Sequence, residues 1–201
     1  MSRMMLALLS CVLAVTPSFA ALKQGDIAPD FKTQASLAGK EFTFSLRDAL
    51  KTGPVVVYFY PAAFTGGCNL QAHTFAENHD KFAAAGASVI GVSLDSISRL
   101  NDFSADPQYC AGKLPVASDE KGEIAKSYDI RITDTYKGTR VATMKDSRGN
   151  AIGHSAAERT TFVVAPDGKI VTTIGGVAGD INVEQALAVV QQLAAKHNAT
   201  D

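Results

Sequence analysis

The chain has 201 residues and a formal net charge of −1 at pH 7, with 46% hydrophobic and 19% charged residues. This length is enough for one domain with a sizeable hydrophobic core. The sequence contains neither a basic patch nor an acidic tail, which argues against nucleic acid as a partner.

Residues 1–20 are predicted to be a secretory signal peptide. They carry one positive charge, Arg3, followed by an apolar run over residues 4–15. Small residues at Ser18 and Ala20 make a cleavage site after Ala20. The apolar run is too short to serve as a stable membrane anchor, so we expect no stable membrane insertion.

Cleavage there would leave residues 21–201 as one domain and would remove Arg3, changing the formal net charge from −1 to −2. Cys11 would leave with the signal, so that the mature chain would hold Cys68 and Cys110. We therefore expect an exported protein of a bacterial periplasm, an oxidising compartment. A lipoprotein acylated at Cys11 and an uncleaved N-terminal anchor are less favoured alternatives.

The predicted elements alternate between strand and helix along most of the chain. A continuous β-branched and aromatic run over residues 55–60 predicts a strand buried on both faces. The full order is strand-like pieces at 29–31 and 42–46, a helical turn capped by Ser45, strand 55–60, a helix from 69, strand 87–94, helix 98–104 capped by Asp95 and Ser96, strand 114–119, helix 120–128, a hairpin of 160–165 and 170–174, and an amphipathic helix 182–196. This order predicts a thioredoxin-like α/β fold with a central mixed sheet, including parallel crossovers, flanked by helices.

The turn after the strand at residues 55–60 delivers a cysteine to the start of a helix. Pro61 ends the strand, and Gly66 and Gly67 allow the backbone to turn tightly before Cys68. Free N–H groups and the positive end of the helix dipole favour the thiolate of Cys68 over the thiol. The pattern therefore predicts a nucleophilic cysteine.

The usual role of a free cysteine is that of a small buried hydrophobe, and this is the alternative for Cys68. The two glycines before it, together with the hydroxyl of Thr65, indicate a polar pocket instead. We therefore prefer the nucleophile.

The regular pattern dissolves over residues 129–158, where charged residues and glycines alternate with few apolar ones. We expect a long surface loop or a flexible hairpin here. The segment could border the active site, shape an oligomer contact, or do neither, and the sequence leaves these three roles open.

The string PAAFTGGC, from Pro61 to Cys68, matches the P-x-x-x-T-x-x-C motif of the peroxiredoxins. The chain resembles the AhpC/TSA family, most closely its PrxQ (bacterioferritin comigratory protein) branch, from about Gly25 to the last helix. The resemblance implies a thiol-dependent peroxidase that reduces hydrogen peroxide and organic hydroperoxides through a cysteine sulfenic acid. It also implies that neither a metal nor an organic cofactor is required.

The same resemblance implies roles for four residues. Cys68 would be the peroxidatic cysteine, Thr65 would donate and accept hydrogen bonds around the bound peroxide, and Pro61 would shield the thiolate. Arg159, in R-x-T-F-x-x-x-x-D-G-K, would stabilise the thiolate and orient the peroxide. Without the motif, an arginine at this position would be expected to be solvated or paired with an aspartate.

The chain departs from the PrxQ pattern at two positions after Cys68. Gln71 replaces a glutamate, so charge pairing with the arginine is lost, and His73 stands where many PrxQ proteins place a resolving cysteine. Cys110 is the candidate resolving cysteine. A permanent structural disulfide with Cys68 and a free thiol are the alternatives for Cys110.

Two other functions compete with a peroxidase. A thiol–disulfide oxidoreductase of the exported type would normally need C-x-x-C, but Gln71 occupies the second position. A non-enzymatic copper-binding module on the same fold would have only Cys68, His73 and His154 as ligands, which is a poor set. For the peroxidase we expect a thioredoxin-like protein or a small thiol as reductant, and a monomer or homodimer.

Overall fold

A computed structural model describes residues 21–199, so the predicted signal peptide lies outside the described residues. Within that range the elements, in chain order, are β1 (Lys32–Leu37), β2 (Lys40–Ser45), α1 (Leu46–Leu50), β3 (Val55–Phe59), α2 (Gly66–Glu77), α3 (His79–Ala84), β4 (Ser88–Ser93), α4 (Ile97–Ala105), β5 (Val116–Ser118), α5 (Glu123–Ser127), β6 (Ile132–Thr133), β7 (Thr135–Tyr136), β8 (Thr139–Arg140), a 3-10 helix (Val141–Thr143), β9 (Ala156–Ala157), β10 (Thr160–Val164), β11 (Ile170–Gly175) and α6 (Gly179–Asn198).

Seven strands form one central sheet in the order β11-β10-β3-β4-β5-β1-β2. The pairs β3–β4 and β4–β5 are parallel, as helical crossovers require. The pairs that β10 makes with β3 and β11, and that β1 makes with β2 and β5, are antiparallel. The predicted central mixed sheet flanked by helices is therefore confirmed.

Strand β3 is buried on both faces because its side chains alternate between two hydrophobic clusters. Val56 and Tyr58 face a cluster that also contains residues of α2, α3, α4 and α6. Val55, Val57 and Phe59 face a second cluster with residues of α1 and α5. This alternation explains why the strand is apolar at every position.

Some element boundaries differ from the sequence prediction. The strand-like piece at 29–31 is wrong, because the first hairpin is formed by β1 and β2, which begin after it. Helix α5 is shorter than predicted, since Gly122 lies in the left-handed region at φ 67° and the side chain of Asp119 accepts the N–H groups of Ile124 and Ala125. Helix α6 is longer at both ends.

Two of the three predicted helix caps are present. Ser45 accepts the N–H of Asp48 at 3.3 Å, and Ser96 accepts the N–H of Arg99 at 3.4 Å. Asp95 was wrongly predicted as a cap, because its buried carboxylate accepts the N–H of Ala63 and pairs with the side chain of Arg99 instead of accepting an N–H group of the first turn of α4.

The segment 129–158 contains short elements rather than a structureless loop. Strand β6 pairs with β9, and β7 pairs with β8, each over two residues. The segment is tied to the turn before Cys68, since Ser147 N–H donates to the Phe64 carbonyl at 2.8 Å. No helix among residues 21–199 is both long and apolar enough to span a membrane.

Candidate active site

Cys68 is the third residue of α2, in the first turn, as the sequence predicts. Its side chain is 3% exposed, and its N–H donates to the Thr65 carbonyl at 2.9 Å. The sulfur therefore lies in a nearly closed position at the positive end of the helix dipole.

Arg159 reaches this sulfur from the neighbouring strand. It directly precedes β10, whose first residue Thr160 pairs with Phe59 at the end of β3. Nη2 of Arg159 lies 3.4 Å from Sγ of Cys68, and Nη1 donates to Oε1 of Gln71. The guanidinium thus places a permanent charge and a hydrogen-bond donor against the cysteine.

Gln71 and Asn182 extend this contact into the core. Both side chains are fully buried, and Nε2 of Gln71 donates to Oδ1 of Asn182 at 3.0 Å. Nδ2 of Asn182 in turn donates to the Ile174 carbonyl at 3.1 Å. Because the guanidinium of Arg159 can only donate, the oxygen of the Gln71 amide must face it, and this fixes the orientation of both amides in the series.

Thr65 and Pro61 lie beside Cys68 and line the same cavity. The hydroxyl of Thr65 donates to the Ala62 carbonyl at 2.8 Å, which is the backbone bond expected of a turn residue. Its proton is therefore engaged, and its oxygen can accept a hydrogen bond from a ligand.

The cavity next to Cys68 has a volume of about 460 Å³. Residues of the segment 129–158 form much of its wall. The apolar residues that this segment contributes are Val141, Met144, Ile152, Ala156 and Ala157. Of the three roles left open by the sequence, the structure shows that the segment borders this site.

Cys110 lies away from this cavity. It follows α4, is fully buried, and belongs to the same hydrophobic cluster as Cys68. Both cysteines are free thiols in this structure. Burial, and to a smaller degree the charge of Asp106, raises the pKa of the Cys110 thiol far above its ordinary value.

The two histidines considered as copper ligands are engaged elsewhere. Nε2 of His73 lies 3.3 Å from a carboxylate oxygen of Glu77 on the same helix. Nε2 of His154 lies 2.9 Å from Asp95, and its Nδ1 lies 2.6 Å from the Ser155 carbonyl. Both ring nitrogens of His154 thus face oxygen atoms of the protein.

Sequence reasoning missed Asn182, which it treated as the start of a helix. A signal was present, because Asn182 stands four residues before Ala186 and eight before Val190, which places an amide on the apolar face of α6. It also missed the carboxylate of Asp95, which accepts the N–H of Ala63 at 2.8 Å.

On this fold, a buried cysteine at a helix start that faces an arginine is the arrangement typical of thiol-based redox proteins. The family model of the AhpC/TSA family matches residues 24–173, and the chain belongs to this family. The chain is thus a peroxiredoxin, a thiol peroxidase, as its sequence predicts.

Relatives in this family agree with the PrxQ resemblance. The chain is 39% identical to the chloroplastic peroxiredoxin Q of Populus jackii over 114 residues, which are 56% of this chain and 49% of that protein. The crystal structure of peroxidoxin BcpB from Mycobacterium tuberculosis has a TM-score of 0.68 and 28% identity, over 85% of this chain and 97% of the other. The structure of peroxiredoxin Q from Xanthomonas campestris has a TM-score of 0.62 and 28% identity, over 80% of this chain and 90% of the other.

Proposed function

We propose that the Cys68 thiolate attacks one oxygen of a peroxide and is converted to a sulfenic acid. A new S–O bond forms, the O–O bond breaks, and the leaving oxygen takes a proton and departs as water or alcohol. The observation that carries this proposal is the 3.4 Å contact between Nη2 of Arg159 and the Cys68 sulfur. A fixed cation at this position stabilises both the thiolate and the negative charge that moves onto the oxygens.

Thr65 and Pro61 have supporting roles in this mechanism. The Thr65 oxygen accepts a hydrogen bond from the peroxide O–H, because its own proton is held by the Ala62 carbonyl. Pro61, which lines the same cavity, shields the thiolate. Together with Arg159, these contacts align the O–O bond with the sulfur.

We propose both hydrogen peroxide and organic hydroperoxides as substrates. The apolar wall built by the segment 129–158 gives the organic part of a hydroperoxide a surface to bury. Hydrogen peroxide needs only the polar contacts around Cys68.

We propose Cys110 as the resolving cysteine. Its thiol condenses with the sulfenic acid, forms a disulfide with Cys68 and releases water. Both cysteines belong to one buried cluster, but Cys68 is held in α2, so the first turn of α2 must unwind for disulfide geometry to be reached. A thioredoxin-like protein or a small thiol then restores both thiols by exchange.

We propose that this reaction takes place in a bacterial periplasm, which the predicted signal peptide supports, and that the enzyme is a monomer or homodimer. Mass spectrometry of protein purified from the periplasmic fraction tests this location. A mature chain beginning at Ala21 is the expected result, whereas a chain retaining residues 1–20 would contradict it.

The two alternative functions have less support. Gln71, at the position of the second cysteine of C-x-x-C, is buried and bonded to Asn182. His154, one of the candidate copper ligands, has both ring nitrogens engaged by oxygen atoms of the protein.

The decisive experiment counts free thiols and measures intact mass for the reduced mature protein before and after one equivalent of hydrogen peroxide. The expected result is loss of both thiols and of two hydrogens, with a Cys110→Ser variant halting at an oxygen adduct. Loss of one thiol with gain of oxygen in the wild type would show that an external thiol resolves Cys68. If neither the thiol count nor the mass changes within minutes, the proposed peroxidase mechanism is refuted.

A further inference from the structure

Four charged side chains meet behind the turn that carries Cys68. We call them the ion cluster, and its members are Asp95, Arg99, Asp146 and His154. The side chains of the two aspartates are fully buried, while those of the arginine and the histidine are only 12% and 17% exposed. Three elements contribute, since Asp95 follows β4, Arg99 lies on α4, and the other two members belong to the segment 129–158.

Arg99 and Asp95 are the centre of the ion cluster. Nε of Arg99 lies 2.8 Å from Oδ1 of Asp95, and its Nη2 lies 2.8 Å from Oδ2 of Asp146. Nε2 of His154 approaches the same Oδ1 of Asp95 at 2.9 Å. Within the ion cluster, two ion pairs therefore join the segment 129–158 to Asp95, which follows β4, and to Arg99 of α4.

The surroundings of His154 favour a doubly protonated ring. Nδ1 faces the Ser155 carbonyl at 2.6 Å and Nε2 faces the Asp95 carboxylate at 2.9 Å, and both oxygens are acceptors. Only the imidazolium can donate from both nitrogens at once. With this proton the four members carry two positive and two negative charges, and Arg148 also approaches Asp146, at 3.6 Å.

The ion cluster holds both backbone groups of Ala63. The N–H of Ala63 donates to Oδ2 of Asp95 at 2.8 Å, and its carbonyl accepts Nη2 of Arg99 at 2.9 Å. The neighbouring Phe64 lies in the left-handed region at φ 61°, which is an unfavourable conformation for a phenylalanine. The contacts to Ala63 hold this strained turn in place immediately before Thr65.

A buried set of charges is a costly way to stabilise a turn. Desolvation of ion pairs often exceeds their attraction, and apolar residues of similar volume would serve stability as well or better. Buried ion pairs are therefore better explained by a specific geometry that they fix than by a gain in stability. Here the geometry they specify is that of the turn between β3 and α2, together with the cavity wall of the segment 129–158.

We propose that the ion cluster positions the active site for oxidation of Cys68, with His154 as the positioning residue that the segment 129–158 supplies. His154 holds the carboxylate of Asp95, Asp95 holds the backbone of Ala63, and Ala63 in turn fixes the positions of Thr65 and Cys68. This inference rests on the proposed peroxidase function. None of the four side chains needs to touch the peroxide, so their effect is on geometry alone.

The protonation of His154 gives the proposal a pH-dependent signature. Burial acts to lower the pKa of His154, but the hydrogen bond and charge of Asp95 outweigh it and raise the pKa above 6.5. The charge of Arg99 opposes this shift. Two other carboxylates of the segment lie nearby: Asp146, which pairs with Arg99, and Asp134, which accepts a hydrogen bond from the hydroxyl of Ser155. The positioning effect is fully present below pH 6.5 and is lost as pH rises through the raised pKa.

The test compares the wild type with His154→Gln and with the control His79→Gln, which alters an exposed histidine on α3. The second-order rate constant for loss of the Cys68 thiol to hydrogen peroxide is measured from below pH 6.5 upward. We expect the ratio of wild-type to His154→Gln rate constants to be about tenfold at the acid end and to shrink as pH rises. A ratio independent of pH, or equal to that of His79→Gln, would overturn the proposal.

Amide hydrogen exchange at Ala63 gives a second readout that needs no peroxide. We expect its protection in the wild type, after correction for the intrinsic rate, to fall as pH rises through the pKa of His154, and to be lower in His154→Gln. Protection that is unaffected by pH in the wild type would refute the positioning role, even if the variant does not fold. If peroxide leaves wild-type Cys68 unchanged, the proposed function fails, and the exchange result still decides the role of the cluster.

Discussion

Gly179 at the start of α6 lies directly against Gln71 of α2. A Cβ atom on this glycine would come within 2.8 Å of the Gln71 Cβ and of the Gly67 carbonyl oxygen. Gly179 is therefore needed for close contact between the two helices. This contact brings Asn182 within reach of Gln71, and Gln71 in turn holds Arg159.

Gly179→Ala is expected to reduce both stability and activity. The methyl group would force α6 away from α2, at a cost of about 1–3 kcal/mol in the free energy of unfolding. The displaced Gln71 would then hold Arg159 less firmly and slow the oxidation of Cys68. Urea unfolding and peroxide kinetics measure the two effects. Gly175→Ala is the control, since its Cβ would meet its nearest atom at an ordinary 3.7 Å, and equal losses in both variants would contradict the explanation.

Gly67→Ala is expected to reduce activity with little loss of stability. Its Cβ would lie 3.2 Å from Nη2 of Arg159, the flexible end of a long side chain that can move aside. Moving it draws the guanidinium away from the Cys68 sulfur, so we expect the rate of peroxide reduction to fall about tenfold. Gly66→Ala is the matched control, because nothing lies within 4 Å of its Cβ. If both variants reduce peroxide at the same rate, the contact between Arg159 and the Cys68 sulfur does not contribute to the reaction.

Gln71→Glu is expected to weaken the site, although a glutamate at this position is usual in the family that the chain resembles. A carboxylate oxygen would replace Nε2 and face Oδ1 of Asn182, and two acceptors repel each other. The new charge would also compete with the Cys68 thiolate for Arg159. We expect a loss of about 1–3 kcal/mol in unfolding free energy and slower alkylation of Cys68 by iodoacetamide at neutral pH. Unchanged stability would show that Asn182 reorients freely.

Asp95→Asn is expected to lower stability most between pH 3.8 and 6.5. Burial acts to raise the pKa of Asp95, but the hydrogen bond and charge of His154 and other contacts lower it below 3.8 overall. Its contribution to stability is therefore present above pH 3.8 and lost as pH falls through the lowered pKa. The contribution of His154 is present below pH 6.5 and lost as pH rises through its raised pKa.

Urea unfolding across this pH range measures the difference between the wild type and Asp95→Asn. We expect the substitution to lower the free energy of unfolding by about 3–5 kcal/mol at most, because it leaves the largely buried side chains of Arg99 and His154 without their anionic partner. The control is Asp102→Asn, whose side chain is 66% exposed and pairs with Arg148. This exposed pair should contribute no more than about 1 kcal/mol. A difference for Asp95→Asn that does not vary with pH would contradict the assignment.

Met144→Gln is expected to change the preference between peroxides. Met144 is half-buried in the cavity wall, and glutamine has a similar length but presents a polar amide. Removing apolar surface there should lower kcat/KM for cumene hydroperoxide several-fold and leave that for hydrogen peroxide unchanged. Ile27→Gln is the control, as Ile27 is 62% exposed and does not line the cavity. Equal effects on both peroxides would show that this wall does not bind the organic group.

The local features of the site were predictable from the sequence. Strand β3, the turn after Pro61 and the helix that begins beside Cys68 depend on residues close together in the chain, whose patterns indicate them directly. Arg159 was identified only through its motif, because 91 residues separate it from Cys68 and no local pattern joins them. Strand pairing between β10 and β3 brings the two together.

The amino-acid sequence by itself determined the fold class and the family, since each depends on a local pattern or a specific motif, and it predicts Cys68 as the nucleophile. Only the tertiary structure decided how the segment 129–158 contributes, and that Asp95 and His154 meet although 59 residues separate them. Buried ion pairs help to fasten the segment to the domain, and its apolar contacts, such as those of Val141 and Ile152 in a cluster with Ala62, are scattered along the chain rather than periodic. Such pairs leave no periodic signal, and their partners become apparent only when the folded chain brings them into contact.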